Sequence, residues 1–304
     1  YFKIIFFTFI ISKKYKPTSI LCFPFGWHSL VAIAAKIAGV KKICTHAGNL
    51  APKKLTKNFW KLNFLIQIGR PFTYKIICCS KYIEDSVIKN FKISKSKSTF
   101  IYNCYDEEKF KFINDLKTKS KIKNQKKINI GMVGRLEAHK DQKSLIKAIK
   151  ILKKRNINAN LFLIGDGQLF PILLKITKKL NLTKQVYFLG SRNDIEELLN
   201  KLDIFVFSTT KDEGFGIAMV EAMGKGLPII ASDVGACREI LQNGKYGTLV
   251  TPNSDTAIAN SIENILLNID EEIKKRNSTH RYVIKNFSKK RMAENYINAL
   301  ELLK

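Results

Sequence analysis

The sequence contains no stretch of the roughly 18 to 20 uninterrupted apolar residues that a bilayer-crossing helix requires. The nearest run, YFKIIFFTFII at positions 1–11, is short and broken by Lys3. It continues into SKKYKP without a small-residue cleavage site, which argues against a secretion signal and for a helix or strand of the fold. Metal-ligand spacing is missing too. Cys22, Cys44, Cys78, Cys79, Cys104 and Cys237 stand mostly in apolar surroundings, and His28, His46, His139 and His280 are too scattered for a sequence-local zinc site. The expectation is reduced, buried thiols in a cytosolic protein and no resident metal or cofactor. Acidic residues are scarce: 25 Asp and Glu face 53 Lys and Arg, a formal net charge of +28. That surplus favours polyanionic partners, among them an anionic membrane surface, although a chain rich in Lys, Ile and Asn can carry it as surface solvation alone. The charge is spread along the chain, and no element interleaves Lys and Arg with aromatics, so no specific nucleic-acid partner is expected.

What is present is a core. With 304 residues, 45% hydrophobic and 11% aromatic, the chain can fill one or two domains. From INIGMVG (128–134) onward, short apolar runs alternate with helical patterns. SLIKAIKILKKR, with apolar positions every three or four residues, reads as a helix; ANLFLIGDG reads as a strand with a Gly-rich turn, followed by the helix PILLKITKKLN. QVYFLG, DIFVFST, LPIIASD and GTLVTP continue as strands. Doubly buried strands separated by helices imply a parallel, doubly wound sheet. The first third repeats the pattern with strands SILCFPF, KKICTHAG, YKIICCS and STFIYN and helices SLVAIAAKIAG and YIEDSVIKNF. Positions 106–127, lysine-rich and poor in apolar residues, read as a linker, which gives an N-terminal domain over 1–125 and a second over 126–288. The chain opens on Tyr1 and no Gly-rich turn, so one or two βα units, at about 30 residues per βαβ unit, are expected to be missing from the N-terminal domain.

The stretch EGFGIAMVE (213–221) lies where such sheets bind ligands, beyond the carboxyl end of a strand. Gly214 and Gly216 allow close backbone approach, and the helix start offers unpaired N–H groups with partial positive charge, a combination that suits a phosphate or a hydroxylated sugar. Glu213 before the helix and Glu221 one turn inside it are acceptors for paired hydroxyls, which suggests a hexose at one end of the ligand and ribose at the other. In GRLEAHKD (134–141), Arg135 and Lys140 flank a loop where two cations can neutralise a diphosphate; ordinary solvated charges are the alternative. GMVGRLE and GDGQLF do not complete G-x-G-x-x-G, and no P-loop motif occurs, which disfavours a dehydrogenase or a kinase.

GRLEAHKD, LIGDGQL, VYFLGSRNDI, EGFGIAMVEAMGKGLPIIASDVGACREIL and GTLVTP, in that order, resemble the retaining nucleotide-sugar glycosyltransferases of family 4. The resemblance implies the GT-B fold, α/β, with two Rossmann-like domains facing a cleft. FSKKRMAENYINAL resembles the family's last helix, which implies that 289–304 pack back on the N-terminal domain. By the same resemblance Glu221 holds the ribose and Glu213 the transferred sugar, while the amides of Gly214, Phe215, Gly216 and Ile217 line the sugar and distal phosphate. Gly134, Arg135 and Lys140 bind the diphosphate, Ser191 and Arg192 contact the base, and His46 in THAGN lies near the reacting sugar. IYNCYDEEKF resembles the family's Asn-Gly-Val-Asp stretch, with Cys104 and Tyr105 in place of Gly and Val.

The activity so implied is transfer of a sugar, with retention, from a UDP-sugar or GDP-sugar donor to a saccharide or lipid-linked hydroxyl acceptor. It belongs to the synthesis of bacterial surface polysaccharide, lipopolysaccharide, capsule or glycolipid. The expected place is the cytoplasm or the inner face of the cytoplasmic membrane. A sugar phosphorylase, a nucleotide-sugar epimerase and a non-catalytic nucleotide-sugar or polyanion binder remain as alternatives.

Overall fold

The structure, a computed structural model, describes residues 1–52, 54, 59–113 and 127–300. It divides into two compact units, Tyr1–Asn103 with Lys290–Lys304, and Cys104–Lys289.

The first unit begins with helix α1 (Phe2–Tyr15), followed by β1 (Ser19–Cys22), α2 (His28–Ile37), β2 (Lys42–Ala47), α3 (Phe59–Gly69), β3 (Lys75–Cys78), α4 (Lys81–Phe91) and β4 (Ser98–Phe100). All four strands are parallel, in the order β1-β2-β3-β4. These are the four strands expected from the apolar runs. The opening run is a helix, apolar on every side; of its residues only Ser12 is buried. Helix α3 is not among the expected helices, because Phe59, Trp60, Leu62, Phe64, Leu65, Ile66 and Ile68 encircle it and no single period stands out. It packs inward through Phe59 and Ile66, and Gly69 closes against Ser29, where an added Cβ would lie 2.2 Å from the hydroxyl. Helix α12 (Lys289–Leu300) belongs to this unit from Lys290 onward: Leu300, Tyr296 and Met292 pack with Cys44, Ile77 and Ile101.

The second unit runs β5 (Ile128–Val133), α5 (Gln142–Lys154), β6 (Ala159–Ile164), α6 (Phe170–Lys179), β7 (Val186–Gly190), α7 (Ile195–Leu199), β8 (Ile204–Phe207), α8 (Ile217–Gly224), β9 (Ile229–Ser232), α9 (Gly235–Ile240), β10 (Thr248–Val250), α10 (Asp255–Leu267) and α11 (Ile269–Phe287). Its sheet is parallel with the order β10-β9-β8-β5-β6-β7. Every residue of β8 and β9 is buried, as expected for strands covered on both faces. Helix α5 follows its sequence period, burying Leu145, Ile146, Ile149 and Leu152 beneath exposed lysines, and Asp141 caps it by accepting from the Ser144 amide at 3.3 Å. The chain leaves β5 toward β6 on one side and returns to β8 on the other, so the order switches between β5 and β8. The carboxyl ends of these two strands are where a doubly wound sheet binds its ligand.

The expected linker is shorter at its start. Residues 106–113 pack on the second unit: Phe110 is buried, Phe112 lies 4.5 Å from the His280 ring, and the Arg276 guanidinium donates to the Ile113 carbonyl at 3.0 Å. Just ahead of them, Tyr105 donates its amide to the Phe287 carbonyl at 3.1 Å. The boundary therefore falls at Asn103 and Cys104 rather than at 125. Four well-placed apolar side chains, Tyr105, Phe110, Phe112 and Ile113, outweigh the lysine-rich composition. The remaining expected linker, 114–126, lies outside the described residues. Among the described residues no helix is long and apolar enough to cross a membrane.

Candidate functional site

The two loops beyond β5 and β8 are stitched together by backbone groups. His139 offers its carbonyl to the Thr210 amide and to the Thr209 hydroxyl, each at 2.9 Å. The Asp141 amide donates to the Ser208 carbonyl at 3.2 Å, and the Ser208 hydroxyl returns a bond to the Asp141 carbonyl at 2.9 Å. From behind, the GDG turn after β6 supports the first loop. A Cβ on Gly165 would fall 2.2 Å from the Gly134 carbonyl oxygen, and one on Gly167 2.6 Å from that of Leu136. These glycines are needed for backbone-to-backbone approach, which accounts for a Gly-x-Gly without the third glycine of a dinucleotide site.

On this frame Lys140 sets its ammonium on Oε2 of Glu213 and 4.5 Å above the Phe207 ring centroid. Both side chains are largely buried. The other carboxylate oxygen of Glu213 accepts the Gly214 amide at 3.2 Å and the Phe215 amide at 3.4 Å. Gly216 follows at φ 92°, a left-handed conformation that favours glycine, and leads directly into α8 at the exposed Ile217. A Cβ on Gly216 would also press on Phe207 at 3.0 Å. Arg135 points outward, 70% exposed, and pairs with Glu137 at 2.7 Å; the other Glu137 oxygen lies 3.5 Å from His139 Nδ1. Its backbone is pinned by Gln142, whose side-chain Nε2 donates to the Arg135 carbonyl at 2.8 Å. A cavity of about 720 Å³ opens between the loops, with Glu137, His139, Gln168, Thr210 and Asp212 in its lining.

Glu221, one turn into α8, has its carboxyl pushed up to about 7 by burial, against the opposing pull of the nearby Lys109 ammonium. Lys109 in turn donates to the Asn193 carbonyl at 3.3 Å, in the loop after β7. Ser191 and Arg192 of that loop are exposed on the edge strand's side of the sheet, and Arg192 is held by Asp194 through bonds of 2.7 and 2.5 Å. His46 belongs to the other unit. There its Nδ1 lies 2.9 Å from the Tyr296 hydroxyl, the Phe23 ring lies tilted at 4.9 Å, and burial lowers its pKa.

The structure thus brings Gly134, Arg135, Lys140, Glu213, Gly214, Phe215, Gly216 and Ile217 to two touching loops. It differs from the expected pair of cations: Lys140 faces inward to Glu213, while Arg135 turns out to Glu137. Glu137, Phe207 and Lys109 are neighbours that the sequence reading missed. Glu137 stands in GRLEAHKD, two positions from the residue it pairs with, and was legible there. Phe207 was legible only as one apolar residue of a strand. Nothing local marks Lys109, because its partners lie 84 and 112 positions away.

Proteins similar to this chain in sequence and in fold are numerous. Over 214 residues the chain is 29% identical to the N-acetyl-alpha-D-glucosaminyl L-malate synthase of Bacillus anthracis, covering 70% of this chain and 55% of that protein. Over 238 residues it is 29% identical to the UDP-Gal:alpha-D-GlcNAc-diphosphoundecaprenol alpha-1,3-galactosyltransferase of Escherichia coli, covering 76% and 61%. The chain therefore matches little more than half the length of these relatives. Among solved structures, Anabaena Alr3699/HepE in complex with UDP superposes with a TM-score of 0.86 at 22% identity, over 98% of this chain and 82% of that one. The fold is that of the GT-B glycosyltransferases. The model of the glycosyl transferases group 1 family matches residues 114–295, more than half of the 304, and the protein belongs to that family.

Proposed function

We propose that the protein transfers a sugar from a UDP-sugar to a hydroxyl of a saccharide or lipid-linked acceptor, with retention at the anomeric carbon. The observation that carries the reading is the juxtaposition of Lys140, Arg135 and the amino end of α8 on the two loops flanking the switch point of the sheet. Negative charge grows on the nucleoside diphosphate as it departs, and a fixed ammonium, a guanidinium and a helix terminus stabilise that charge more than the ground state. Glu213, oriented by Lys140 and by two backbone amides, accepts from the hydroxyls of the transferred sugar; Glu221 accepts from the ribose. Attack comes from the face that the diphosphate leaves, and the leaving phosphate takes the acceptor proton, so no protein nucleophile is used. A lipid-linked acceptor accords with the diphosphoundecaprenol named for the Escherichia coli relative, and the basic surface accords with work at an anionic membrane.

The test is a product assay with a panel of UDP- and GDP-sugars and a polyprenyl-diphosphate sugar, reading glycoside formation and anomeric configuration. Retention by the intact protein and its loss in Arg135→Ala support the proposal. An inverted product, an epimerised donor or a sugar phosphate overturns it, as does full activity in Arg135→Ala; donor binding without turnover would favour a binding protein.

A further inference from the structure

The first acidic residue of the chain is Glu84. The 83 residues before it contain thirteen lysines and Arg70, half of the net charge of +28. This segment supplies most of the first unit, and one of its helices carries an apolar stripe on its outer face. On α3, Trp60, Phe64 and Ile68 recur every fourth residue on the face opposite the buried Phe59 and Ile66, and they are 68%, 64% and 42% exposed. Trp27 extends the stripe: Lys61 of α3 lies 5.9 Å from its ring, and Tyr1 stacks on it at 5.2 Å. Lys61, next to Trp60 on α3, thus carries the stripe toward the second tryptophan of the chain and sets a positive charge beside it.

From this juxtaposition we propose that the α3 face of the first unit seats on an anionic lipid bilayer, with Trp60, Phe64 and Ile68 in the headgroup region and Lys61 on lipid phosphates. Amphipathic aromatic rings favour that depth, because each presents an apolar body and a polar edge. The lysines add attraction that salt screens, and the apolar stripe adds attraction that salt leaves intact. A nucleic-acid partner would use the charge and leave the aliphatic Ile68 and the length of the stripe without a role. The inference deepens the proposal of a membrane-borne acceptor, but vesicle binding needs no sugar transfer, so the two fail independently.

The probe is the intrinsic fluorescence of the intact chain, titrated with phosphatidylcholine vesicles and with vesicles of equal parts phosphatidylcholine and phosphatidylglycerol. The mixed vesicles should shift the emission to the blue and bind the protein in sedimentation; phosphatidylcholine alone should do neither. The double variant Trp60→Ser with Phe64→Ser should bind at least about tenfold more weakly, and Lys61→Glu about tenfold more weakly in low salt. Both alter exposed side chains, so UDP affinity and thermal unfolding should match the wild type, which separates lost binding from lost folding. Equal binding to the two vesicle types overturns the proposal. So does undiminished binding of the double variant, or a single-stranded oligonucleotide that gives the same blue shift and displaces the vesicles.

Discussion

Lys140 and Glu213, 73 positions apart, hold each other across the two loops that flank the switch point of the second sheet, and each has only about a tenth of its side chain exposed. Removing either partner strands the other as a buried charge. Lys140→Met and Glu213→Gln should each lower stability by about 3 kcal/mol, and the double variant should lose less than the sum. Denaturant unfolding of the four proteins measures the coupling. Transfer should stay abolished in the double variant, since restored packing does not restore the groups that face the donor.

The carboxyl of Glu221, raised to about 7 by burial, makes a pH signature. Because the folded state holds its proton above the unfolded pKa near 4.5, this group favours folding at low pH, and that contribution fades as pH rises from 4.5 to 7. An ionised carboxylate is the better acceptor for two ribose hydroxyls. UDP affinity by calorimetry should therefore rise between about pH 6 and about pH 8 in the wild type and stay flat and weak in Glu221→Gln. A flat wild-type profile would exclude the ionised form as the ribose ligand.

His28, at the start of α2, titrates in the opposite sense. Its Nδ1 accepts the Gly26 amide at 3.0 Å, which leaves Nε2 to donate to Thr73 Oγ1 at 3.1 Å, while Thr73 donates onward to the Gly69 carbonyl at 2.9 Å. Burial lowers its pKa from 6.5 to about 4. Stability from the neutral ring is complete above pH 6.5 and is lost as pH falls toward 4, by about 3 kcal/mol at most. Acid unfolding followed by circular dichroism should show this loss, and His28→Gln should flatten it.

Tyr105 is buried with its hydroxyl lacking a hydrogen-bond partner among the described residues, and its ring fills the space that Gly224 leaves. Tyr105→Phe should stabilise the protein by about 1 kcal/mol, because it removes an unsatisfied polar atom and keeps the ring. Tyr105→Val, the family-like residue, should cost about 3 kcal/mol through the cavity it leaves. Thermal unfolding of the pair discriminates the two effects.

Much of this was legible in the sequence, for identifiable reasons. Strands β5, β6, β8 and β9 are short apolar runs bounded by Gly, Asp or Pro, and α5 has a clean helical period. Helix α3 was illegible because it is apolar on its outer face as well as its inner one, and residues 106–113 because a few aromatic contacts overrode their composition. At the candidate site the loops and their glycines could be read, since close backbone approach leaves a mark in residue type. The division of Arg135 and Lys140 between two carboxylates could not be, because ion pairing depends on which way each side chain leaves its loop.

Tyr296 reaches His46 from α12, 250 positions later in the chain. At roughly 5 to 20 residues per second, translation separates these two residues by tens of seconds. During that interval the second unit can be completed, while Cys44, Ile77 and Ile101 wait for the helix that covers them. The orientation of His46 is consequently set only after the second unit has been made, and a ribosome-bound nascent chain would hold the histidine before it holds the tyrosine that aims it.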